Sequence, residues 1–307
     1  MAKTGTEFVT GIKRRITVPA SQPLLGDTDF LAFADDIIQS RLVPEINAMR
    51  QDFFVTSVDL PIVQDQDEYS IPYRSVGRIL RDLKRKTTAN SKSDIVLIGI
   101  EDEHMTVTTG IISSFFFKGD KFVVRPIPTS TTDVLEVWYD LRPSKIVTAD
   151  MAGSITSFSL DSITVSSVPA NITTGSVVDL IQGVSGNWFI KVDMTVTNVS
   201  GNIISFATGT VPTTLAVGDW VSLAGTTPVI QLPDECYPYL ETETCMRVLN
   251  SISDYEGAKA LMADAKEELK NLKLLLEPRA MGEATKIVPR RGLARGMRNR
   301  ARWGWLR

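Results

Sequence analysis

Residues 232–278 read LPDECYPYLETETCMRVLNSISDYEGAKALMADAKEELKNLKLLLEP, and this stretch decides the fold. Tyr237, Leu240, Cys245, Val248 and Leu249 recur at helical spacing and make one apolar stripe. Ser253-Asp254-Tyr255-Glu256 then has the form of a capping box, in which a Ser side chain and a Glu three residues on satisfy each other's free amides. Ala258, Leu261, Met262, Ala265, Leu269, Leu272 and Leu276 carry a second stripe, which Pro278 ends. The short turn between the stripes implies two antiparallel helices. A mate for this hairpin lies near the other end of the chain. After Gly26-Asp27-Thr28, a helix start, Phe30, Leu31, Ala34, Ile37, Ile38 and Leu42 repeat at the same spacing, and Pro44 can sit in the first turn of a continuation through Ile46 and Met49. The expectation is a helical bundle of N- and C-terminal helices whose members are far apart in sequence.

Between them the pattern is β. Short apolar runs bounded by turn residues predict strands at Val55–Leu60, Glu68–Ile71, Val76–Leu80, Ile95–Ile100, Ile111–Phe117, Lys121–Arg125 and Val134–Leu141. Gly119-Asp120 between two such runs predicts a tight hairpin. From about 146 to 229 the chain turns rich in Ser, Thr, Val and Gly, with Lys191 the one basic residue. Here Thr174-Gly175-Ser176-Val177-Val178-Asp179-Leu180 resembles Val217-Gly218-Asp219-Trp220-Val221-Ser222-Leu223, each a glycine turn opening an alternating strand. The fold class expected is α+β: the helical bundle, a β excursion, and an inserted small antiparallel β barrel or sandwich. The segments are 1–26, an extended N-terminal arm; 27–145, the first helix with the β excursion; 146–229, the insert; 230–278, the helical hairpin; and 279–307, a basic tail.

Few chemistries have residues to carry them. At 307 residues and 43% hydrophobic content the chain can bury a real core. No run reaches the roughly 18 apolar residues of a membrane span, and Met1–Pro19 does not read as a signal peptide. Cys236 and Cys245, nine residues apart on one helix, would stand about 13 Å apart, beyond the roughly 7 Å a disulfide allows. The one histidine, His104, lies in Glu101-Asp102-Glu103-His104, an acidic turn whose side chains alternate in direction and do not converge on a metal. There is no phosphate-binding glycine loop and no nucleophile with a supporting base. The sequence implies no enzyme, no metal and no cofactor.

The net charge of −3 hides a polarity. From Lys286 onward there are eight basic residues and no acid, so −11 remains for residues 1–285. Arginine outnumbers lysine seven to one in that tail: Arg290, Arg291, Arg295, Arg298, Arg300, Arg302 and Arg307 against Lys286. Guanidinium groups form forked bonds to carboxylate or phosphate, which suits an ordered contact. Trp303, Trp305 and Leu306 supply apolar anchors. An acidic groove on a protein and the phosphates of a nucleic acid both satisfy such a tail. A second basic cluster, Arg78, Arg81, Lys84, Arg85 and Lys86 with Arg74 and Lys92 beside it, faces either DNA, another subunit or solvent.

Two local pieces resemble neck proteins of tailed phages: Val134-Leu135-Glu136-Val137-Trp138-Tyr139-Asp140-Leu141-Arg142-Pro143-Ser144, and Val217–Gly225 followed by Pro228-Val229-Ile230-Gln231-Leu232-Pro233. The whole layout is similar to the head-to-tail adaptor, or head completion, proteins of short-tailed bacteriophages, in architecture across residues 27–307 and in detail over some 40 residues; the insert exceeds their minimal layout. The resemblance implies a structural virion protein at the head-tail junction, made in the host cytoplasm. It implies a homo-oligomeric ring of 12 copies under the portal protein, with tail or nozzle proteins below, genomic DNA passing through the lumen without sequence specificity, and no membrane. It also implies portal binding through Arg290, Arg291, Arg295, Arg298, Arg300, Arg302, Trp303, Trp305, Leu306 and Arg307. The alternatives are a DNA-binding or packaging accessory and a tail-tube or neck stopper subunit.

Overall fold

The computed structural model describes residues 3–16, 25–87, 91–101, 109–184, 186 and 188–276, apart from the side chains of Arg78 and Ile79. The chain is mixed α+β, and residues Met1–Leu276 cluster as one compact unit. The helices are α1 (Gly5–Arg15), α2 (Asp27–Ile37), α3 (Val43–Met49), α4 (Tyr237–Ser251) and α5 (Tyr255–Leu276). α4 touches α1, α2 and α5, and α3 touches α5. One apolar core takes Phe8 and Ile12 from α1, Phe30 and Ile37 from α2, Ile46 from α3, Leu240 and Val248 from α4, and Leu272 from α5.

Three local features depart from expectation. Residues 5–15, expected in an extended arm, are helical: Thr4 Oγ1 accepts from Glu7 N at 3.2 Å, Glu7 Oε2 accepts from Thr4 N at 2.9 Å, and Phe8, Val9 and Ile12 are buried. That capping box is legible in Thr4-x-x-Glu7, but three apolar residues among charges give too weak a stripe to read. Between α2 and α3 the helix continues through Pro44 to Met49 as expected, but residues Ile38–Leu42 widen into a π-helical turn. Pro44 has no N–H to return to residue 40, and the wide turn absorbs that mismatch. At α5 the cap is Asp254, whose Oδ1 accepts from Gly257 N at 2.9 Å, while Ser253 sits at φ +65 in the turn.

The excursion comprises β1 (Val55–Pro61), β2 (Glu68–Ser70), β3 (Ser75–Lys86), β4 (Lys92–Asp94), β5 (Val96–Leu97), β6 (Thr109–Gly110), β7 (Ser114–Lys118), β8 (Lys121–Arg125), β9 (Ile127–Pro128) and β10 (Val134–Leu141). One sheet runs β1-β10-β3-β4 and a second β2-β8-β7-β5, with a shared core of Leu83, Phe122, Val124, Leu135 and Val137. The predicted hairpin is present: Lys118 pairs with Lys121, and Gly119 takes φ +65, the left-handed conformation glycine adopts without strain. β3 runs six residues past Leu80, held by Leu83 in the core and by cross-strand ion pairs described below.

The insert follows as β11 (Lys145–Ile146), β12 (Ala152–Phe158), β13 (Ser162–Val165), β14 (Val177–Ile181), β15 (Phe189–Thr195), β16 (Asn198–Ser200), β17 (Ile203–Ser205), β18 (Trp220–Leu223) and β19 (Thr226–Thr227). Seven strands form an open sheet in the order β15-β14-β18-β12-β13-β17-β16, and no sheet among the described residues closes into a barrel. β12 changes partner midway, from β18 at Ala152–Ser154 to β13 at Ile155–Phe158, and both halves feed one core around Ile163, Leu180, Ile204 and Val221. The two similar sequence pieces become neighbours: β14 and β18 pair antiparallel, Leu180 against Val221, after Gly175 at φ +86 and Gly218 at φ +94. β11 and β19, the two ends of the insert, pair in parallel as its neck. The N-terminus docks there, with Gly5 N donating to Pro228 O at 2.8 Å and no room at Gly5 for a Cβ, which would stand 2.6 Å from Val147 O.

The insert is bound to the rest by more than its neck. Trp188 packs on Phe53 and Phe54, with ring centroids 5.6 and 5.7 Å away, and on Phe189 at 5.3 Å, so it borders both the helical core and the excursion's core. The composition change at Lys145 is therefore not a break in packing.

Candidate functional site

The tail residues singled out for portal binding, Arg290 to Arg307 with Trp303, Trp305 and Leu306, lie outside the described residues, as does His104. The second basic cluster is described except for the side chain of Arg78. Its cations stand on β3 within reach of carboxylates on β1, β3, β4 and β10 and of Asp133 just before β10. Arg81 Nε bonds both oxygens of Asp140 at 2.9 and 3.0 Å and its Nη2 donates to Gln51 O. Lys84 pairs with Asp82 at 3.2 Å and Asp94 at 3.7 Å, Arg85 with Asp133 at 3.6 Å, and Lys86 with Asp59 at 3.0 Å. On β4, Lys92 bonds Glu136 at 2.6 Å and holds that carboxyl below its usual range. Hydrogen bonds that Arg81, Lys84 and Lys86 donate to Asp140, Asp82 and Asp59 respectively push the three cations upward. Among the described side chains each of these cations has an acidic partner, so the row has little free charge for a phosphate backbone; it fits a solvated face or a polar contact between subunits. The cations are legible in the sequence because they lie close together, as does Asp82 among them; the other partners are spread over β1, β4 and β10 and Asp133 just before β10.

Arg74, counted with that row in the sequence, belongs to a different constellation. Its side chain is 6% exposed, and its Nη1 meets Asp179 of β14, itself fully buried, at 2.9 Å. Nη2 donates to Ser144 Oγ at 2.8 Å, and the guanidinium lies over Phe189, 5.0 Å from the ring centroid. Asp179 also accepts from Asp193 N at 2.9 Å and Gly225 N at 3.1 Å, and burial outweighs these partners to push its carboxyl upward. Tyr73 Oη donates to Asp193 at 2.9 Å. One cation thus joins the excursion, the neck and the insert. The sequence signal was Asp179 itself, a lone charge in the apolar strand Val177–Ile181.

Beside this junction opens a cleft of about 880 Å3. One wall is helical, with Asp35, Val43, Pro44 and Asn47; the other carries Val76, Arg142, Pro143 and Lys145. Asp35 accepts Ile146 N with both oxygens, at 2.9 and 3.2 Å, and Gln39 Nε2 donates to Pro143 O at 3.1 Å. Burial pushes the Asp35 carboxyl up to about 7, against the opposing pull of the Ile146 amide and Lys145. From the π turn the Arg41 guanidinium meets Glu243 and Tyr239 of α4.

The two cysteines are free and buried, and burial pushes their thiols up to about 12 for Cys236 and about 11 for Cys245. Among the described residues no group of three or more His, Cys, Asp or Glu side chains is placed to hold a metal ion. No described helix is long and apolar enough to cross a membrane. Fold and site together define a mixed α+β protein whose polar side chains are spent on holding its parts to one another. No protein-family model matches the chain, and no curated protein matches it.

Proposed function

We propose that the chain is a non-enzymatic structural protein of a tailed-phage virion, the head-to-tail adaptor of a short-tailed phage, acting as a ring under the portal. In this reading helices from the two ends of the chain form a bundle, the excursion and insert face neighbours and tail proteins, and the arginine and tryptophan tail docks on the portal. The observation that carries it is the division of charge and composition: residues 1–285 hold −11, and from Lys286 on the chain has eight cations, no acid and two tryptophans. Such an arm suits repeated docking of an acidic body onto a partner ring. Support also comes from the layout, in which helices from both chain ends share one core with the β segments hung between them. A DNA-binding accessory is the competing reading, since the same tail suits phosphates.

A chain ending at Met281 is expected to keep its helical circular dichroism and to fail to join portal-bearing heads. Trp303→Ala with Trp305→Ala is expected to weaken docking more than any two arginine replacements, because a buried tryptophan anchor is worth about 2 kcal/mol or more. Portal-binding assays at two salt concentrations check both. Full docking by the truncated chain overturns the tail's role; a steep salt dependence with DNA competing for the tail favours the accessory.

A further inference from the structure

The lysines of α5 differ from the cations of β3. Ala265, Leu272 and Leu276 turn one side of α5 into the helical core, while Lys259, Lys266, Lys270 and Lys273 are exposed, as are Tyr255 at 67% and Met262 at 45%. At 3.6 residues per turn these last six positions fall within about 80° of arc, and the acids of α5, Glu256, Asp264, Glu267 and Glu268, fall outside it. The ion pairs that α5 makes among the described residues are Arg15 with Glu268 and Lys273 with Glu45 of α3. Lys259, Lys266 and Lys270 therefore keep their charge free, over about 16 Å of helix, where Lys84, Arg85 and Lys86 do not. Lysine is a compact charge on a flexible stem, without the fork that matches arginine to one fixed partner. Such a row suits a partner whose own charge is a continuous line, and a nucleic-acid duplex carries one phosphate charge per roughly 1.7 Å of its axis. Residues 1–285 as a whole hold −11 and repel a polyanion at a distance. At physiological salt that field is screened beyond about 8 Å, so the row acts at contact.

We propose that the exposed face of α5 is a sequence-independent contact for the phosphate backbone of a nucleic-acid duplex, with Lys259, Lys266 and Lys270 meeting phosphates and Tyr255 donating its hydroxyl at one end of the row. Contacts of this kind position a duplex without reading its bases. The surface is separate from the arginine tail and does not depend on that tail docking on a portal. Arginines and tryptophans suit an ordered seat on a protein; three free lysines suit a weak contact that a moving polyanion can make and release.

The test titrates a mixed-sequence DNA duplex of about 30 base pairs with the full chain and with the triple variant Lys259→Gln, Lys266→Gln and Lys270→Gln, the tail being present in both. Glutamine matches lysine in helix propensity and the three side chains are exposed, so circular dichroism should not change. The slope of log affinity against log salt should be shallower in the variant by about 2.7, so that between 50 and 200 mM salt the wild type loses roughly 40-fold more of its affinity than the variant does. Lys84→Gln with Lys86→Gln, whose lysines already face Asp82, Asp94 and Asp59, should keep the wild-type slope. Acetylation footprinting needs no variant: DNA should protect Lys259, Lys266 and Lys270 and leave Lys118 of β7 labelled as in the free protein. Parallel salt slopes for wild type and triple variant, a footprint that spares the three lysines, or no DNA binding by the full chain at 50 mM salt overturns the proposal, and the row is then a solvated face or a contact for an acidic protein. Failure of the tail to dock on a portal would leave all of these readouts as they are.

Discussion

Replacing Arg74 by methionine removes the cation that pairs with Asp179 among the described residues and keeps most of the volume over Phe189. Asp179 is fully buried and would keep only the backbone donors of Asp193 and Gly225. Breaking a buried pair from one side typically costs about 3–5 kcal/mol, because the remaining charge has lost its partner without regaining water. Against a total stability of roughly 5–15 kcal/mol, that brings the chain close to unfolding. At an m-value of about 2.5 kcal/mol/M, the urea midpoint should fall by about 1–2 M at pH 7. The loss should be larger at pH 8 than at pH 5. Asp179 already has its carboxyl raised by burial, and removing Arg74 takes away the charge that opposes the rise. A raised folded value contributes stability that is present at low pH and lost as pH rises through it. Adding Asp179→Asn to Arg74→Met should recover part of the deficit, since the orphaned charge is gone. The reasoning fails if Arg74→Met costs less than about 1 kcal/mol, or if the double variant loses the sum of the two single losses.

Replacing residues 148–224 by a short Gly-Ser linker should leave the helical circular dichroism signal, because α1, α2, α4 and α5 build their core almost wholly without the insert; it should also lower the thermal midpoint, because Arg74 loses Asp179 and Phe54 loses Trp188. Loss of the helical signal would show that the helices depend on the insert. A thiol reagent at pH 8 should label neither Cys236 nor Cys245 in the native chain and both after denaturation, given their burial and raised thiols; rapid native labelling of either contradicts the packing of α4 and the turn that leads into it.

What the sequence determined by itself was everything written in local period and turn chemistry. The stripes from Tyr237 to Leu249 and from Ala258 to Leu276 became α4 and α5, and Val134–Leu141 became β10 with those bounds. The Gly119-Asp120 turn and the β character of residues 146–229 were equally plain, since glycine placement and alternation are properties of a few adjacent residues. The division between acidic body and basic tail is also sequence alone. Only the tertiary structure decided which charges meet. Lys84, Arg85 and Lys86 look like a free basic patch until β1, β4 and β10 bring Asp59, Asp94 and Asp133 beside them. Arg74 finds Asp179 across 105 residues and Asp35 finds Ile146 across 111, separations over which no sequence period exists. The same holds for α1, whose three buried apolar side chains, Phe8, Val9 and Ile12, form a stripe too short to read until α2 and α4 supply the surface that buries them. Local pattern fixes elements because backbone periodicity is local; the junction and the cleft arise from packing between distant elements, and only the folded chain contains that information.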